Sequence, residues 1–364
     1  MLRIDGERCV HARAAAASCQ RCVQICPQAA WRLADDGLGF DEARCDGCGL
    51  CAAVCPTGAL ALTDDPLATS PRRATVVTVA CDRIPATGPG EPPPGTRRLA
   101  CVHGIDEWQW LQWQHDGVRQ VQVHVGDCDA CARGRRLTRL DRLPERAAVL
   151  NRVLQMRGLA GLALQARVQP AGGPQVATER AARPGRDRDA AARRSFLGLA
   201  RPAAATVDPS WPVRRLAAQQ DLRRLGPGAV LWAVSLRAEH CDACGACARL
   251  CPTGALTRSP LGETASGALV QDMAACVGCG LCADVCAPGA VVPLPVGTAS
   301  GVVRRLRLDR VACAGCGRPH VVPVESVEAS VHRDRNGQNR CPACRSTAIR
   351  CPGQRLQEVP PSSS

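Results

Sequence analysis

The chain has 364 residues, which is enough for two or three domains, and 25 of them are cysteine. No stretch reaches the roughly 18 consecutive apolar residues of a membrane span, and the first residues contain no apolar run that could serve as a signal peptide. Because disulfides require export, we expect a cytoplasmic protein whose thiolates bind metal.

The positive charge is concentrated in the middle of the chain. All 46 basic residues are arginine and the formal net charge is +13, yet residues 133–224 alone hold 20 arginines against 7 acidic residues, so the remainder is balanced. The chain has no tyrosine and only two phenylalanines. Since few aromatic side chains accompany the arginines, stacking on bases is poorly supported and nucleic-acid binding is not expected.

Residues 45–60 read CDGCGLCAAVCPTGAL, with cysteines spaced Cys-x2-Cys-x2-Cys-x3-Cys. This run favours a cubane iron–sulfur cluster, because three thiolates on a tight loop reach three irons and the fourth leaves to ligate a neighbouring cluster. A zinc site would instead need two separated pairs. An earlier run contains Cys9, Cys19, Cys22 and Cys26, with a longer first gap that includes His11. His11 is either an alternative ligand to Cys9 or a solvated loop residue.

Together the two runs resemble a bacterial-type ferredoxin with two [4Fe–4S] clusters, which would occupy residues 1–66. In that family the last cysteine of each run crosses to the other cluster. The resemblance therefore implies two ligand sets. One set is Cys9, Cys19, Cys22 and Cys55, and the other is Cys45, Cys48, Cys51 and Cys26.

The next region, residues 72–168, has a different character. The β-branched segment 74–80 predicts a buried strand ending at Cys81, and Cys101 follows a second short strand. Residues 106–117 predict a helix whose three tryptophans belong to the core rather than to an electron path, and an alternating strand from residue 118 leads to Cys128 and Cys131. This order of elements favours a small α/β domain with a parallel sheet. Residues 135–165 have helical spacing, with Pro144 near a helix start.

The segments around these four cysteines resemble the small iron–sulfur (delta) subunit of hydrogenases that feed heterodisulfide reductases. The resemblance implies a [2Fe–2S] centre on Cys81, Cys101, Cys128 and Cys131. Zinc, or no metal at all, remains an alternative at these positions. Residues 169–228 are interpreted as an arginine-rich linker. Within it, the segment at Arg193 and Arg194 resembles a twin-arginine motif, as in the accessory ferredoxin of periplasmic nitrate reductases, or is a basic helix start.

A second ferredoxin unit is predicted over residues 229–298. The run CDACGACARLCPTGAL from Cys241 nearly repeats the earlier one, and CVGCGLCADVCAPGAV begins at Cys276, which indicates an internal duplication. The same crossing implies two further ligand sets. One is Cys241, Cys244, Cys247 and Cys286, and the other is Cys276, Cys279, Cys282 and Cys251. Because Ala287 displaces Pro288 by one position, we expect an altered exit turn there with the ligand retained.

Residues 302–356 contain two cysteine pairs, Cys313 with Cys316 and Cys341 with Cys344, separated by a β-prone stretch. Two such pairs resemble a zinc ribbon, which implies a closed four-thiolate structural zinc site; a rubredoxin-like iron is the alternative. His320 and Cys351 are expected not to be ligands.

The overall prediction is an α+β protein in which two ferredoxin-like 2[4Fe–4S] units flank a small α/β domain, with a zinc-ribbon-like C-terminal segment. The chain has no glycine-rich nucleotide loop and no evident catalytic group. We expect a non-catalytic electron-transfer subunit that relays single electrons to or from a hydrogenase, a formate dehydrogenase or another molybdoenzyme. The alternative is an accessory ferredoxin that assists the maturation of such an enzyme. The implied cofactors are four [4Fe–4S] clusters, one [2Fe–2S] centre and one zinc ion.

Overall fold

A computed structural model describes most of the chain. The described residues are 2–34, 37–63, 67, 74–85, 91–169, 213–226, 228–259, 266–300, 303–326, 329–330 and 339–345. Within these residues, no helix is both long enough and apolar enough to cross a membrane.

The first ferredoxin unit consists of short elements around its own small core. Its elements are β1 (Leu2–Ile4), α1 (Arg21–Ile25), β2 (Trp31–Ala34), β3 (Gly37–Phe40), α2 (Leu50–Val54) and β4 (Leu60–Leu62). Strand β1 pairs antiparallel with β4, and β2 pairs antiparallel with β3. Trp31 stacks on Phe40 with ring centroids 4.5 Å apart, which closes one side of the unit.

The α/β domain contains the predicted parallel sheet. Its elements are β5 (Val76–Cys81), β6 (Arg97–Leu99), α3 (Glu107–His115), β7 (Gln120–Val125), α4 (Leu143–Met156) and β8 (Ala163–Val168). The four strands are all parallel, in the order β6-β5-β7-β8. Trp110 and Trp113 on α3 are fully buried in the core, as the sequence predicted. Since parallel strands end at one edge, the cysteines after β5, β6 and β7 meet there.

The helix predicted over residues 135–165 is correct only in its central part. Helix α4 spans Leu143–Met156, with Pro144 in its first turn. Two 3₁₀ turns, Gly134–Arg136 and Arg139–Asp141, precede it. Residues 163–168 form the edge strand β8 instead of a helix, because pairing with β7 satisfies their backbone groups.

A further helix, α5 (Arg214–Arg224), lies in the stretch interpreted as a linker. Ala218 and Leu222 on this helix are completely buried, and the amide of Gln219 donates hydrogen bonds to the backbone carbonyls of Trp232, Met273 and Cys276. Helix α5 therefore ties the α/β domain to the second ferredoxin unit. The predicted twin-arginine segment lies outside the described residues.

The second ferredoxin unit continues directly into the C-terminal segment. The elements are β9 (Ala229–Val230), β10 (Val234–Leu236), α6 (Ala246–Leu250), β11 (Leu256–Arg258), β12 (Ser266–Gln271), α7 (Leu281–Asp284), β13 (Val291–Pro293), β14 (Ala299–Ser300), β15 (Arg304–Ala312), β16 (Pro319–Ser326) and β17 (Ala329–Ser330). Strand β15 pairs antiparallel with β12 over six residue pairs. The resulting five-stranded sheet has the order β11-β12-β15-β16-β17, so the C-terminal strands extend a sheet of the ferredoxin unit.

Candidate iron–sulfur and metal sites

The first cysteine of each run follows the same local structure. The 3₁₀ turns Gly6–Arg8, Glu42–Arg44, Ala238–His240 and Met273–Ala275 lead directly into Cys9, Cys45, Cys241 and Cys276. Three of the turns are capped by an aspartate that accepts a hydrogen bond from the backbone amide two residues later. These aspartates are Asp5, Asp41 and Asp272.

This turn places Cys9 in the same position as the other three leading cysteines, despite the long gap that follows it. The Asp-x3-Cys pattern that Cys9 shares with Cys45 and Cys276 is a second sequence signal for this residue, beside the resemblance that already placed it with Cys19, Cys22 and Cys55. His11 is tied to the backbone instead, since its Nε2 lies 2.7 Å from the carbonyl oxygen of Cys19.

Two separate cavities divide the eight cysteines of the first unit. A cavity of about 270 Å³ is lined by Cys9, Cys19, Cys22 and Cys55. A smaller cavity, of about 20 Å³, is lined by Cys26, Cys45, Cys48 and Cys51. In both cavities the last cysteine of one run joins the first three cysteines of the other. The structure thus groups the thiols as the crossing arrangement requires.

The second unit groups its thiols in the same way. Burial, and then the neighbouring thiols of Cys241, Cys244 and Cys286, raise the pKa of Cys247 to about 11. Burial raises the pKa of Cys282 as well, with the thiols of Cys279, Cys276, Cys251 and Cys247 contributing in that order. Cys286 therefore lies with the first run of this unit, and Cys251 lies with the second.

The exit turn after Cys286 is not altered by the displaced proline, so this expectation was wrong. The amide of Ala290 donates to Sγ of Cys286 at 3.2 Å, as the amide of Ala30 donates to Sγ of Cys26 at 3.3 Å. The turn itself is closed by the amide of Gly289 on the carbonyl of Cys286. A proline at position 287 or 288 removes neither of these donors, which explains why both sequences form the same turn.

The buried thiols resist ionisation unless a metal offsets the cost. Burial, together with nearby thiols, raises the pKa of Cys22 to about 12. Burial raises the pKa of Cys51 to about 12 also, although a hydrogen bond with Trp31 opposes the shift. A coordinated metal centre deprotonates such thiols because its positive charge stabilises the thiolate. Four buried or half-buried thiols around one cavity fit a cationic cluster core better than they fit free cysteines.

The four cysteines of the α/β domain also lie together. Burial raises the pKa of Cys101 to about 12, and the thiols of Cys81 and Cys128 add to the shift. Burial raises the pKa of Cys128 to about 11, and the thiols of Cys81 and Cys131 add to this shift. The guanidinium of Arg133 lies beside this group and donates to the backbone carbonyl of Ala100.

Arg133 connects this group to the first ferredoxin unit. Its Nε donates to Asp46 at 2.7 Å and its Nη1 donates to Asp82 at 3.1 Å, while its side chain is only 6 % exposed. Asp46 follows Cys45 and also accepts a hydrogen bond from the amide of Cys48 at 3.2 Å. Cys101 packs into the core of the first unit together with Leu50. The α/β cysteines and the smaller cavity are therefore neighbours.

The C-terminal cysteines form a tighter group. The Sγ atoms of Cys313, Cys316, Cys341 and Cys344 all lie within 4.8 Å of one another. Among the residues that the structure describes, no other set of three or more histidine, cysteine or carboxylate ligand atoms is as compact. Four thiolates at about 2.3 Å from one zinc ion lie about 3.8 Å apart, which this group approaches. In the part of the chain that the structure describes, this is the cysteine group suited to a single ion, and His320 is not part of it.

Backbone donors prepare one of these thiols for a metal. The amide of Cys341 donates to Sγ of Cys313 at 3.2 Å, and the amide of Gly315 donates to it at 3.3 Å. These hydrogen bonds, led by that from Cys341, lower the pKa of Cys313 to about 5. Hydrogen bonds with Cys341 and the other thiols raise the pKa of Cys344 to about 12. Cys351 lies outside the described residues.

Comparison with known families locates two iron–sulfur domains in the chain. A family model described as a 4Fe-4S dicluster domain matches residues 240–290, and one described as a 4Fe-4S binding domain matches residues 38–61. No curated protein matches the chain significantly. The chain thus contains two 4Fe–4S ferredoxin-type domains, and neither match extends into residues 72–168.

Proposed function

We propose that this protein relays single electrons through four [4Fe–4S] clusters to or from a redox enzyme complex. The observation that carries the proposal is the division of the first unit's eight cysteines between two cavities, each with four thiols. The two family matches support the same cofactor in both ferredoxin units. A bound cubane accepts and returns one electron, and its potential depends on burial, charge and hydrogen bonds to sulfur.

The residues that would hold the clusters are the four crossed sets described above. Cys9, Cys19, Cys22 and Cys55 would hold one cubane, and Cys26, Cys45, Cys48 and Cys51 the next. Cys251, Cys276, Cys279 and Cys282 would hold a third, and Cys241, Cys244, Cys247 and Cys286 a fourth. The protein supplies the thiolate ligands and excludes water from the clusters. Its charged and hydrogen-bonding groups around the sulfur atoms adjust the reduction potentials.

Cys81, Cys101, Cys128 and Cys131 would hold a [2Fe–2S] centre. The four thiols lie near one another, and they do not form a group as compact as the C-terminal one, which favours a binuclear centre over a single zinc ion. The C-terminal four cysteines would hold zinc in a structural role, because a closed four-thiolate shell leaves no position for a substrate.

The partner class we favour is a hydrogenase, a formate dehydrogenase or another molybdoenzyme, with this chain as a non-catalytic subunit in a reducing, cytoplasmic compartment. The resemblance to a hydrogenase delta subunit rests on the cysteine segments of residues 72–168 and on the parallel sheet that carries them. A maturation ferredoxin would bind only the immature partner. A relay subunit stays bound and is reduced at every turnover.

The test is the metal and sulfide content of protein purified without air. We expect about 16 irons per chain from four cubanes, or about 18 with a binuclear centre, an equal amount of sulfide, and one zinc ion. Electron paramagnetic resonance (EPR) of the reduced protein would then give signals of reduced cubanes. A colourless protein without sulfide would refute the proposal.

A further inference from the structure

The two ferredoxin units contact each other at a small surface, which we call the joint. The residues of the first unit at the joint are Val10, Ala17, Ser18 and Arg21, and those of the second unit are Gly278, Leu281 and Asp284. Among the described strands, none of the first unit pairs with a strand of the second. The joint is therefore formed by side chains and loop backbone rather than by a shared sheet.

Polar contacts fix the orientation of the two units. The backbone amide of Ser18 donates to Asp284 Oδ2 at 2.9 Å, and the Ser18 hydroxyl donates to Oδ1 of the same carboxylate at 2.7 Å. The Arg21 guanidinium donates to the carbonyl oxygen of Gly278 at 3.1 Å. Two hydrogen bonds to one carboxylate restrict rotation as well as distance.

Apolar contacts fill the remainder of the joint. Leu281 is completely buried, and Val10 and Ala17 of the other unit form one hydrophobic cluster with it. Cys19 and Cys279 pack against this same cluster, one from each unit. Burial of a leucine side chain from water contributes about 2 kcal/mol, so the joint is more than an incidental surface contact.

The joint lies between two of the four-thiol groups. Ser18 precedes Cys19, Gly278 precedes Cys279, and Asp284 follows Cys282 by two residues. The Cys19 thiol is near enough to contribute to the raised pKa of Cys279, after burial and the thiol of Cys251. The group of Cys9, Cys19, Cys22 and Cys55 thus faces the group of Cys251, Cys276, Cys279 and Cys282.

Arg215 of helix α5 is buried at the same place. Its guanidinium lies 4.6 Å over the ring of Trp232, and its Nη1 donates to the carbonyl of Val277 at 3.4 Å. Within the described part of the chain, its Nε has no hydrogen-bond partner. Arg215 interacts electrostatically first with the Glu107 carboxylate, which also pairs with Arg146 at 3.3 Å, and then with Cys55 of the first unit; it interacts with Cys276 of the second unit as well. Because two arginines share this one carboxylate, a positive charge remains beside both thiol groups, where it stabilises negative charge.

We propose that the joint connects the two ferredoxin units into one continuous line of four cubanes, with Arg215 as a positioning residue that favours electrons at the two inner cubanes. This inference rests on the proposed function. Reduction makes a cubane one unit more negative, so a nearby buried cation raises its potential. The cubanes at the two ends of the line would exchange electrons with partners.

Contacts also connect each outer group with a further cysteine group. At one end Arg133 connects Asp46 with Asp82, beside the cysteines of the α/β domain. At the other end Arg345 bonds to Asp242, which joins the C-terminal cysteine group to the loop of Cys241 and Cys244. The α/β site therefore lies at one end of the line and the C-terminal site at the other.

The first experiment opens the joint with Asp284→Arg, which removes both bonds to Ser18 and places a cation near Arg21. Asp309→Arg is the matched control, since Asp309 pairs with Arg307 on strand β15, away from these contacts. The full chain is purified without air, its iron and sulfide are measured, and the EPR spectrum of the fully reduced protein is recorded. We expect full iron content in both variants, with the magnetic interaction between cubanes weakened in Asp284→Arg alone. If Asp284→Arg retains its full iron content and the magnetic interaction between its cubanes is unchanged, the proposal that the joint connects the two units is refuted. Absence of iron and sulfide from the wild type would refute the cofactor proposal itself.

The second experiment replaces Arg215 by Gln and, as the conservative control, by Lys. Redox titration followed by EPR should show the two inner cubanes reduced less readily in Arg215→Gln, by tenfold or more in the one-electron equilibrium, which is about 59 mV. The Lys variant should stay near the wild type because the cation is retained. If Arg215→Gln retains its iron and its potentials are unchanged, the role of Arg215 is refuted. If that variant does not fold, the Asp284→Arg measurement still decides whether the units are connected.

Discussion

The two ferredoxin units carry nearly the same cysteine runs but are built into the molecule differently. The second unit shares the main hydrophobic core with the α/β domain and helix α5, to which it contributes Leu256, Leu269 and Met273. Its strand β12 also pairs with β15 of the C-terminal segment. The first unit has a smaller core around Trp31 and Leu50, into which Cys101 and Leu137 of the α/β domain also pack. It contacts the rest of the protein through this core, through the joint and through Arg133.

This difference separates what the cysteine run requires from what its surroundings add. Both units form a 3₁₀ turn before the first cysteine of each run, the same crossed thiol groups and the same exit turns, although the second unit shares the large core and the first has a smaller one. The run therefore contains most of the information for its own site. The surroundings determine the charges near each site and the neighbours to which it connects.

The largest expected effect is the loss of whole clusters in paired cysteine variants of the first unit. Cys22→Ala combined with Cys55→Ala removes two ligands of one crossed group and should lower the iron content by about four per chain. Cys48→Ala combined with Cys55→Ala removes one ligand from each group and should lower it by about eight. Iron analysis distinguishes the two results. The reverse order would show that the last cysteine of each run stays with its own run.

The matched pair in the second unit is Cys279→Ala with Cys251→Ala, against Cys244→Ala with Cys251→Ala. The same difference of about four irons is expected between these two double variants. As in the first unit, the reverse order of iron loss would show that Cys251 stays with Cys244 in its own run, and that the second unit does not share the crossed arrangement.

The next prediction compares two ion pairs. Arg133 pairs with Asp46 of the first unit and is largely buried, whereas Arg223 pairs with Asp272 of the second unit and is exposed. Arg133→Met leaves the half-buried Asp46 without its cation and should lower the free energy of unfolding by about 3 kcal/mol. Arg223→Met breaks the exposed pair with Asp272 and should cost less than about 1 kcal/mol. Denaturant unfolding measures both. Equal costs would show that Arg133 is not the structural link between the domains.

The Arg133 variant also has a pH signature. Burial raises the pKa of Asp46, but the hydrogen bond and charge of Arg133 outweigh it, so the pKa is below its ordinary value. The stabilisation from Asp46 is therefore complete above the ordinary value of about 4 and is lost as pH falls through the lower folded value. In Arg133→Met this loss on the acid side should disappear. If the free energy of unfolding of Arg133→Met falls at acid pH as it does in the wild type, the role of Arg133 in lowering the pKa of Asp46 is contradicted.

A smaller effect distinguishes equivalent backbone positions of the two units. The third residue after the last cysteine of a run has a positive φ, +49° at Ala29 in the first unit and +69° at Gly254 in the second. Ala29→Gly should raise the free energy of unfolding by about 0.5–1 kcal/mol, because relief of left-handed strain exceeds the added chain entropy. Gly254→Ala should lower the free energy of unfolding by a similar amount, because alanine is strained at this positive φ. The loss should be no larger, since the added Cβ meets only ordinary van der Waals contacts there. Thermal unfolding tests both, and a destabilised Ala29→Gly would count against this explanation.

The smallest effect concerns a hydroxyl beside the last cysteine of equivalent runs. Oγ of Thr57 lies 4.0 Å from Sγ of Cys55, and Oγ of Thr253 lies 3.9 Å from Sγ of Cys251. The Thr253 proton is donated to the carbonyl of Ala275 at 2.6 Å, which leaves it unavailable to sulfur. Thr57→Val should therefore lower the potential of its cubane by up to about 59 mV, because a hydrogen bond to sulfur is lost. Thr253→Val should change the potential of its own cubane less. Redox titration of the two variants compares these shifts.

Local sequence patterns were enough to predict the cysteine runs and the order of the α/β elements. Three ligands of a cubane usually lie on one short loop, so their spacing is readable directly, whereas the crossing of the fourth ligand was implied only by the resemblance to a bacterial-type ferredoxin. The strand ending at Cys81 followed from its β-branched residues, and the strand leading to Cys128 followed from its alternating pattern.

Only the tertiary structure decided how these parts connect. Ser18 and Asp284 are separated by 266 positions in the chain, and no local pattern relates them. Helix α5 is hidden in an arginine-rich stretch because its buried face includes polar Arg215 and Gln219, whose partners are supplied by the folded second unit. Pairing of β15 with β12 is equally non-local. Docking depends on complementary surfaces formed after folding, and these carry no periodic signal along the chain.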